Sequence, residues 1–571
     1  MKNKSTALVL FTNFIALAYF LPQLIAFPLI IPLSPSLSNP SSLFFTNNEN
    51  NDKKKLSLRQ RIFSSNVIRR LSRTSDPIQG KKKVEPKDLK IEITTVEGLE
   101  EHFSDTKRLF RKNKGASDEI DYDALVRGLY VEGKTQIIGS KNHPDAVHPT
   151  LQLLHERRRT KSPLTPVDES REDGMKVALV VEGGGMRGCA TAGMVTAIHY
   201  LGLEDTFDVI YGSSAGTIIG AYFNTRQLPY FGPEIYYDSL TTAGKKFIDK
   251  SRLIRSLGFG LLNPMLIKDV LTRRENGKPV LDLNFLLKET MIEKKPLNWD
   301  RFVEMQKVQP LKVVSSNLKR NSSIVLEMAN GGFDSIEDLS KCMHSSCLLP
   351  GIAGPLMNIN MSNIHYPNDE RQSTSDKFII ANNLQNEDFE PLADALVFEP
   401  LPYATAIKEG ATHVVVLRSR PDGTDVTGSP SLLERLIISR FFKRKNKLIN
   451  IFNHMSRHFH KKIYAKQVLE LNDAANDTRD YKDVTKPHIM AVALPPGSAE
   501  TGKLETRRAE IFEGTRRGFA RAYDAFVEDP NERGRGSIVA KQCLPDEILD
   551  YNPLEIDAGG ESAYEFFKKQ R

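Results

Sequence analysis

Cysteine is scarce in this chain, with four residues in a sequence of 571. So few cysteines cannot build a disulfide framework in a chain of this length, and their positions lack the paired spacing of a zinc site. We interpret them as buried thiols. Tryptophan occurs once, yet 40% of the residues are hydrophobic, which is enough for one large domain with appended segments. The net charge of +8 comes without a nucleic-acid-binding motif, so we expect no nucleic-acid partner.

Charge is absent from a long stretch at the N-terminus, between Lys4 and Glu49. Within this stretch, residues 7–27 form a mostly apolar run of 21 residues, which is long enough to cross a bilayer. The small residues Ala16 and Ala18 fit, instead, the cleavage site of a secretory signal peptide. Residues 1–33 are therefore predicted to be a membrane anchor or a removable signal, and the protein to be membrane-associated.

Acidic residues are few between positions 34 and 83, where the chain is rich in Ser and Asn and then strongly basic. This composition cannot bury a core, and it predicts a disordered linker. It also resembles an organelle transit peptide, and residues 26–28 resemble the cleavage region of two-part plastid presequences. If the apolar run is retained, the positive-inside rule places the rest of the chain in the cytoplasm; the alternative location is an organelle such as the plastid.

The most informative stretch is residues 176–222. Its run at 177–181 is short, apolar and β-branched, as in a strand buried on both faces of a parallel sheet. A helical spacing follows over 189–201, then a second short strand at 207–211 and a second helix at 217–223. Because this βαβα pattern forms a right-handed crossover, the loops after both strands lie at the carboxyl ends of neighbouring parallel strands and face one cavity.

Both loops carry glycine motifs. The second has the pattern Gly-x-Ser-x-Gly, from Gly212 to Gly216, which is typical of a nucleophile elbow: a strained turn lifts the serine, here Ser214, out of the sheet, and the flanking glycines allow close packing. The first offers backbone N–H groups at a helix N-terminus, which can hold the negative oxygen of an acyl-transfer intermediate. The predicted oxyanion hole is formed by Gly183, Gly184, Gly185, Met186, Arg187 and Gly188. For Arg187, phosphate contact and a structural ion pair both stay open.

Two nucleotide-binding interpretations lack the residues they require. A dinucleotide fingerprint needs an acidic residue at the end of the second strand, where Gly212 and Ser213 stand. A phosphate-binding P-loop needs Lys and then Ser or Thr after Gly188, where the chain has Cys189 and Ala190. The glycine loops therefore point to acyl chemistry rather than to a nucleotide.

Together the two motifs resemble those of the patatin-like phospholipases, a family of lipid acyl hydrolases. That family has a Gly-Gly-Gly-x-Arg-Gly oxyanion loop, a Gly-x-Ser-x-Gly nucleophile one βα unit later and a distant Asp-Gly-Gly or Asp-Gly-Ala. The first two match residue for residue, at 183–188 and 212–216. The candidate for the third is Asp394, in the sequence Asp-Ala-Leu, followed as in the family by a proline turn, a short helix and a strand at 413–417. Residues 344–351 resemble the family's Ser-Ser-x-x-Pro-Gly stretch.

The resemblance implies a patatin-like three-layer α/β/α sandwich with a mostly parallel central sheet. It implies a dyad in which Ser214 attacks and Asp394 takes its proton, which demands a carboxylate of raised basicity in a partly apolar cleft. The implied function is a serine lipid acyl hydrolase that cleaves the carboxylic ester of a glycerolipid or phospholipid and releases a fatty acid. Its partner is the membrane that holds the lipid, and neither a metal nor an organic cofactor is implied.

Three alternatives stay open. An acyltransferase would use the same acyl-serine intermediate with an alcohol in place of water, and a non-catalytic lipid-binding scaffold would fit the altered sequence after Asp394. A Ser-His-Asp triad would take its base from His413, His454, His458, His460 or His488. The dyad is favoured because none of these histidines stands on an evident loop beside Ser214. In addition, Glu182 precedes Gly183 where an HGGG-type oxyanion loop has histidine.

Composition divides the rest of the chain. Residues 84–175 are predicted to be an N-terminal extension, 176–420 the catalytic domain, 421–530 its helical and strand completion, and 531–571 a tail.

Three segments within these regions have their own predictions. Residues 358–391 are rich in Asn and Ser and predict an inserted surface loop. The apolar faces at 261–266 and at 281–287 predict core or cavity wall, with a mobile lid as the alternative. Residues 432–462 form a basic amphipathic segment, which either lies in the headgroup layer of an anionic membrane or is the solvated face of packed helices.

Overall fold

The computed structural model describes residues 138–140, 143–252, 279–364, 377–424, 426 and 432–571. The predicted membrane anchor or signal, the basic linker, most of the predicted N-terminal extension and the apolar face at 261–266 lie outside these residues. Within the described ranges, no helix is both long enough and apolar enough to span a bilayer.

A mixed sheet lies at the centre of the fold. The strands of the described residues are β1 Ile138–Ser140, β2 His143–Val147, β3 Val177–Val181, β4 Val209–Ser213, β5 Leu311–Asn317, β6 Ser322–Leu326, β7 Met357–Asn360, β8 Phe378–Ile380, β9 Phe389–Ala393, β10 His413–Leu417 and β11 His488–Val492. The sheet order is β11-β10-β3-β4-β5-β9-β7-β8, with β6 also paired to β5, while β1 and β2 form a separate hairpin. The five neighbouring strands β11, β10, β3, β4 and β5 are parallel. The pairs β5–β6, β5–β9, β7–β8 and β7–β9 are antiparallel.

Helices cover both faces of this sheet. The longer helices are α1 Pro149–Thr160, α2 Cys189–Tyr200, α3 Ala215–Asn224, α4 Trp299–Gln306, α5 Ile336–Cys347, α6 Tyr403–Lys408, α7 Leu432–Ile438, α8 Ile449–Ser456, α9 Phe459–Ala474, α10 Arg508–Phe526, α11 Gly536–Cys543 and α12 Ala563–Gln570. π-Helical segments occur at Ile235–Leu240, Phe285–Lys294 and Ser439–Lys445.

Strand β3 shows why the sheet needs two helical layers. Leu179 and Val181 join a core that contains residues of α2, α3 and α10, whereas Ala178 and Val180 join a second core with residues of α6 and α9. Successive side chains of a strand point to opposite faces, so an apolar run must be covered on both sides. The predicted mixed α/β fold with a central, mostly parallel sheet is confirmed.

The second strand of the βαβα unit begins two residues later than predicted, at Val209, and continues through Gly212 and Ser213. These two residues pair with Val313 and Val314 of β5, so the ladder extends beyond the point where a glycine predicted a break.

The predicted surface loop at 358–391 contains strand residues of the central sheet, because β7, β8 and β9 lie within or across its bounds. Asn358 misleads because it is buried and bonded to the backbone: its Nδ2 donates to Ile379 O at 3.1 Å and to Ala381 O at 2.9 Å. Buried polar groups with such partners are compatible with a packed sheet. Residues 365–376 of this stretch lie outside the described residues.

The residues after Asp529, predicted to be a tail, are folded onto the domain. Leu544 and Ile548 are fully buried in the main core. The start of α12 is held by the buried carboxylate of Glu234, which accepts hydrogen bonds from Ser562 Oγ at 2.6 Å, Ala563 N at 3.0 Å and Tyr564 N at 3.1 Å. The same carboxylate forms an ion pair with Lys295. The prediction of a tail was wrong because the polar, charge-rich sequence of these residues does not indicate that they bond to partners more than 300 positions earlier in the chain.

Replacing Glu234 by alanine should lower the free energy of unfolding by about 3–5 kcal/mol, because it leaves the buried ammonium of Lys295 without its counter-ion. Urea unfolding followed by circular dichroism measures this change. Glu555→Ala, at an exposed position, is the control and should change the stability by less than about 0.5 kcal/mol. An unchanged urea midpoint in Glu234→Ala would contradict the stabilising role of Glu234.

Candidate active site

Ser214 lies on a strained turn between β4 and α3. Its backbone has φ 51° and ψ −129°, a conformation that non-glycine residues rarely adopt. Gly216 makes the turn possible, because a Cβ atom there would stand 2.0 Å from Val181 O of the neighbouring strand. The predicted elbow geometry is thus present: strand, strained serine, then helix.

Asp394 meets this serine from the end of β9. Ser214 Oγ donates a hydrogen bond to Asp394 Oδ2 at 2.8 Å, and Leu396 N donates to Asp394 Oδ1 at 2.9 Å. Ala395, which stands where the family has glycine, begins a right-handed 3-10 turn and is buried, so this backbone needs no glycine. The structure therefore brings together the two residues predicted to form the dyad, 180 positions apart in the chain.

Burial raises the pKa of Asp394 to about 6, because the side chain is almost completely removed from water. The Leu396 N–H, the Ser214 hydroxyl and the positive charge of Lys503 oppose this rise, since each favours the carboxylate. A carboxyl group with a pKa near 6 is ionised at neutral pH and is more basic than an exposed aspartate, as a proton acceptor for serine requires.

The pH dependence of turnover should follow the titration of the Asp394 carboxyl group. If the Asp394 carboxylate accepts the serine proton, activity is present above its pKa of about 6 and falls by about tenfold per pH unit below it, as the carboxylate becomes protonated. The profile of kcat/KM on a soluble short-chain ester between pH 4 and 9 measures this, with circular dichroism recorded at each pH. A flat profile down to pH 4.5 in folded protein would contradict the role of Asp394.

Ser346 supports the elbow, a role that the sequence did not reveal. Its Oγ accepts a hydrogen bond from Ser214 N at 2.8 Å and donates one to Val314 O of β5 at 2.5 Å. The nucleophile's backbone is therefore tied to the sheet through one buried hydroxyl. The signal was present in residues 344–351, whose resemblance to a family stretch pointed to the site without assigning a function to either serine.

The predicted oxyanion loop runs beside the elbow and ends in a 3-10 helix, Gly185–Gly188, that leads into α2. Ser419 Oγ donates to Gly183 O at 2.7 Å and thereby fixes the loop. Met186 N donates to Lys503 O at 3.1 Å, so this N–H is already used by the protein. Within the residues that the structure describes, the N–H groups of Gly184 and Gly185 donate to no other protein group. These two are the available donors of the loop.

Arg187 makes the structural ion pair that was one of its two predicted roles. Its guanidinium is buried and lies 2.9 Å from Glu500 Oε1. This contact joins the oxyanion loop to the segment between β11 and α10.

An apolar cavity opens at Ser214, with an empty volume of about 500 Å³. Its wall includes Gly185 and Met186 of the oxyanion loop and is otherwise mainly apolar, with Ile218, Ile235, Leu240, Leu281, Leu283 and Leu286 among its residues. Three of these belong to the segment predicted to be core or cavity wall. The apolar lining of this cavity suits an apolar chain.

Two of the histidines considered for a triad lie at the opposite ends of their strands from the proposed nucleophile. His413 and His488 stack with ring centroids 4.8 Å apart at the amino ends of β10 and β11, whereas Ser214 follows the carboxyl end of β4. The His454 ring bonds to Val397 O at 2.9 Å. Within the described part of the chain, no histidine is hydrogen-bonded to Ser214 or Asp394, and no group of three or more His, Cys, Asp or Glu side chains could hold a metal ion.

Comparison with known proteins gives one informative match. Residues 179–407 match the family model described as patatin-like phospholipase. No curated protein matches the chain. Among solved structures, the crystal structure of VipD from Legionella pneumophila is similar at 10% identity and a TM-score of 0.24, covering 71% of this chain and 77% of that one. A similarity this low carries no argument about the site.

Proposed function

Because residues 179–407 form a patatin-like phospholipase domain, we propose that the protein is a serine lipid acyl hydrolase that works through a Ser214–Asp394 dyad. The family supports lipid acyl hydrolysis in general. The dyad, and the ester of a glycerolipid or phospholipid as substrate, are our proposal. The observation that supports it best is the 2.8 Å hydrogen bond between Ser214 Oγ and Asp394 Oδ2 at the wall of an apolar cavity.

In the first half of the proposed reaction, Ser214 Oγ attacks the ester carbonyl carbon while Asp394 takes the hydroxyl proton. The carbonyl oxygen becomes negatively charged and accepts hydrogen bonds from the N–H groups of Gly184 and Gly185. The C–O bond to the glycerol oxygen then breaks, and the leaving alkoxide takes the proton from Asp394. The products of this half are an acyl-serine and a free alcohol.

In the second half, water attacks the acyl-serine carbonyl carbon and Asp394 takes a proton from that water. The bond between the acyl carbon and Ser214 Oγ breaks, and the serine oxygen recovers the proton from Asp394. A fatty acid leaves. The apolar cavity holds the acyl chain during both halves, while Lys503, the charged residue in its lining, contacts the polar part of the lipid.

A panel of lipids tests the proposal. Wild type and Ser214→Ala are each incubated with a phospholipid, a glycolipid and a triacylglycerol, with and without glycerol as acceptor, and free fatty acid and new esters are quantified. We expect the wild type alone to release fatty acid. Ester formation with the acceptor, in place of fatty acid, would assign an acyltransferase. Lipid binding without turnover in both proteins would assign a scaffold.

A further inference from the structure

A concentration of positive charge lies on the segment 432–462. It has nine Lys and Arg residues and a single acidic residue, Glu434, for a net charge of +8. The whole chain also carries +8, so all other charges of the protein balance. Six of the nine are exposed on α7, on the π-helical segment or just after it, and we call them the basic face: Arg435, Arg440, Lys443, Arg444, Lys445 and Lys447.

The apolar side of this segment is used inside the protein. Ile438, Phe441, Phe442, Ile451 and Met455 are buried in the main core. This corrects the idea of an amphipathic helix that lies in the headgroup layer, because such a helix needs a free apolar face. Among the residues of this segment whose burial the structure describes, the apolar side chains of Leu436 and Ile449 are exposed, at 43% and 48%.

The basic face adjoins the cavity that holds Ser214. Leu349 lines that cavity, and a Cβ atom on nearby Gly351 would be 2.6 Å from Ile437 Cγ2 of α7. On the other side, the ring of His454 in α8 bonds to Val397 O, three residues after Asp394. Helix α7, which carries part of the basic face, therefore packs two residues beyond a wall residue of the cavity, and α8, which follows the basic face, packs against the turn after Asp394.

We propose that the basic face docks the cavity mouth onto an anionic lipid surface, by charge attraction rather than by insertion of a helix. The inference rests on the proposed function, because it supplies the substrate to that same cavity. Charge complementarity identifies the partner as anionic. The neighbouring apolar cavity and the exposed Leu436 and Ile449 favour a bilayer over a nucleic acid, which has no acyl chain to offer.

The test measures binding of the full chain to vesicles by sedimentation, with neutral phosphatidylcholine alone or with 30% phosphatidylglycerol. The variant Arg440→Gln/Arg444→Gln/Lys447→Gln removes three charges from the basic face. The control Arg158→Gln/Lys541→Gln/Lys568→Gln removes three exposed charges from α1, α11 and α12. A third variant, Arg440→Lys/Arg444→Lys, keeps the charge. Circular dichroism and the urea midpoint verify that each variant is folded.

We expect the wild type to bind anionic vesicles more tightly than neutral ones, with the difference lost at 0.5 M salt. In the three-charge variant, the ratio of binding to anionic over neutral vesicles should fall by at least about tenfold, whereas the control and the lysine variant should keep the wild-type ratio. Equal binding to both vesicle types, an equal loss in the control, or tighter binding to a DNA duplex than to anionic vesicles would each overturn the inference. Because binding is measured without turnover, anionic binding by a protein that hydrolyses no lipid would overturn the proposed function and leave the docking surface standing.

Discussion

Ser214→Ala and Asp394→Asn should each reduce fatty-acid release by at least about 10⁴-fold. The expectation follows from the single hydrogen bond that joins them: without the hydroxyl there is no nucleophile, and an amide at 394 cannot take its proton. The double variant should be hardly worse than either single variant, because residues that act as one unit are not additive.

Two controls separate this loss from damage to the fold. Asp388→Asn changes an exposed aspartate just before β9 and should leave turnover unchanged. His454→Gln changes one of the histidines considered for a triad and should retain activity. A loss in His454→Gln as large as that in Asp394→Asn, or full turnover in folded Asp394→Asn, would contradict the dyad.

Gly185→Val should reduce turnover by about 10²–10³-fold, the usual contribution of an oxyanion donor. Gly185 has φ 63°, which a β-branched residue rarely adopts, and a Cβ atom there would lie 2.8 Å from Lys503 O. The substitution must therefore move the loop that presents the free N–H groups of Gly184 and Gly185. Steady-state kinetics on a soluble ester measures the loss.

Gly202→Val is the matched control for that substitution. Gly202 follows α2 with a nearly equal φ of 65°, but a Cβ atom there would meet nothing within 4 Å. It therefore has the same backbone strain without the contact beside the nucleophile. Wild-type turnover in Gly185→Val, or an equal loss in Gly202→Val, would remove the loop from the mechanism.

Sequence patterns predicted the structure correctly where the residues of a single segment determine it. Strand β3 is a run that is buried on both faces, and its bounds were predicted residue for residue, as were those of β10. The elbow followed from the same logic, because glycines around a serine after such a strand have few other uses. Asp394 was found by context alone, since its motif departs from the family.

Distant partners that belong to no recognisable motif were not predictable. Glu234 and Ser562 meet across 328 positions, so nothing in the sequence after Asp529 distinguished a packed segment from a tail. The role of Ser346 depends on one hydrogen bond to Ser214 N, and the use of the Met186 N–H depends on a carbonyl at Lys503. An asparagine such as Asn358 is typical of a surface loop, and only its backbone partner in the structure shows that it is buried in the sheet.

The reactivity of Ser214 is the central claim, and covalent labelling tests it most directly. Wild type is treated with a fluorophosphonate, digested, and mapped by tandem mass spectrometry, with Ser214→Ala and Asp394→Asn treated in parallel. We predict one modified residue, Ser214, with no labelling in Ser214→Ala and at least about 10²-fold slower labelling in Asp394→Asn, since the base is lost. A label on any other residue, or unchanged labelling of Ser214→Ala, would contradict the account.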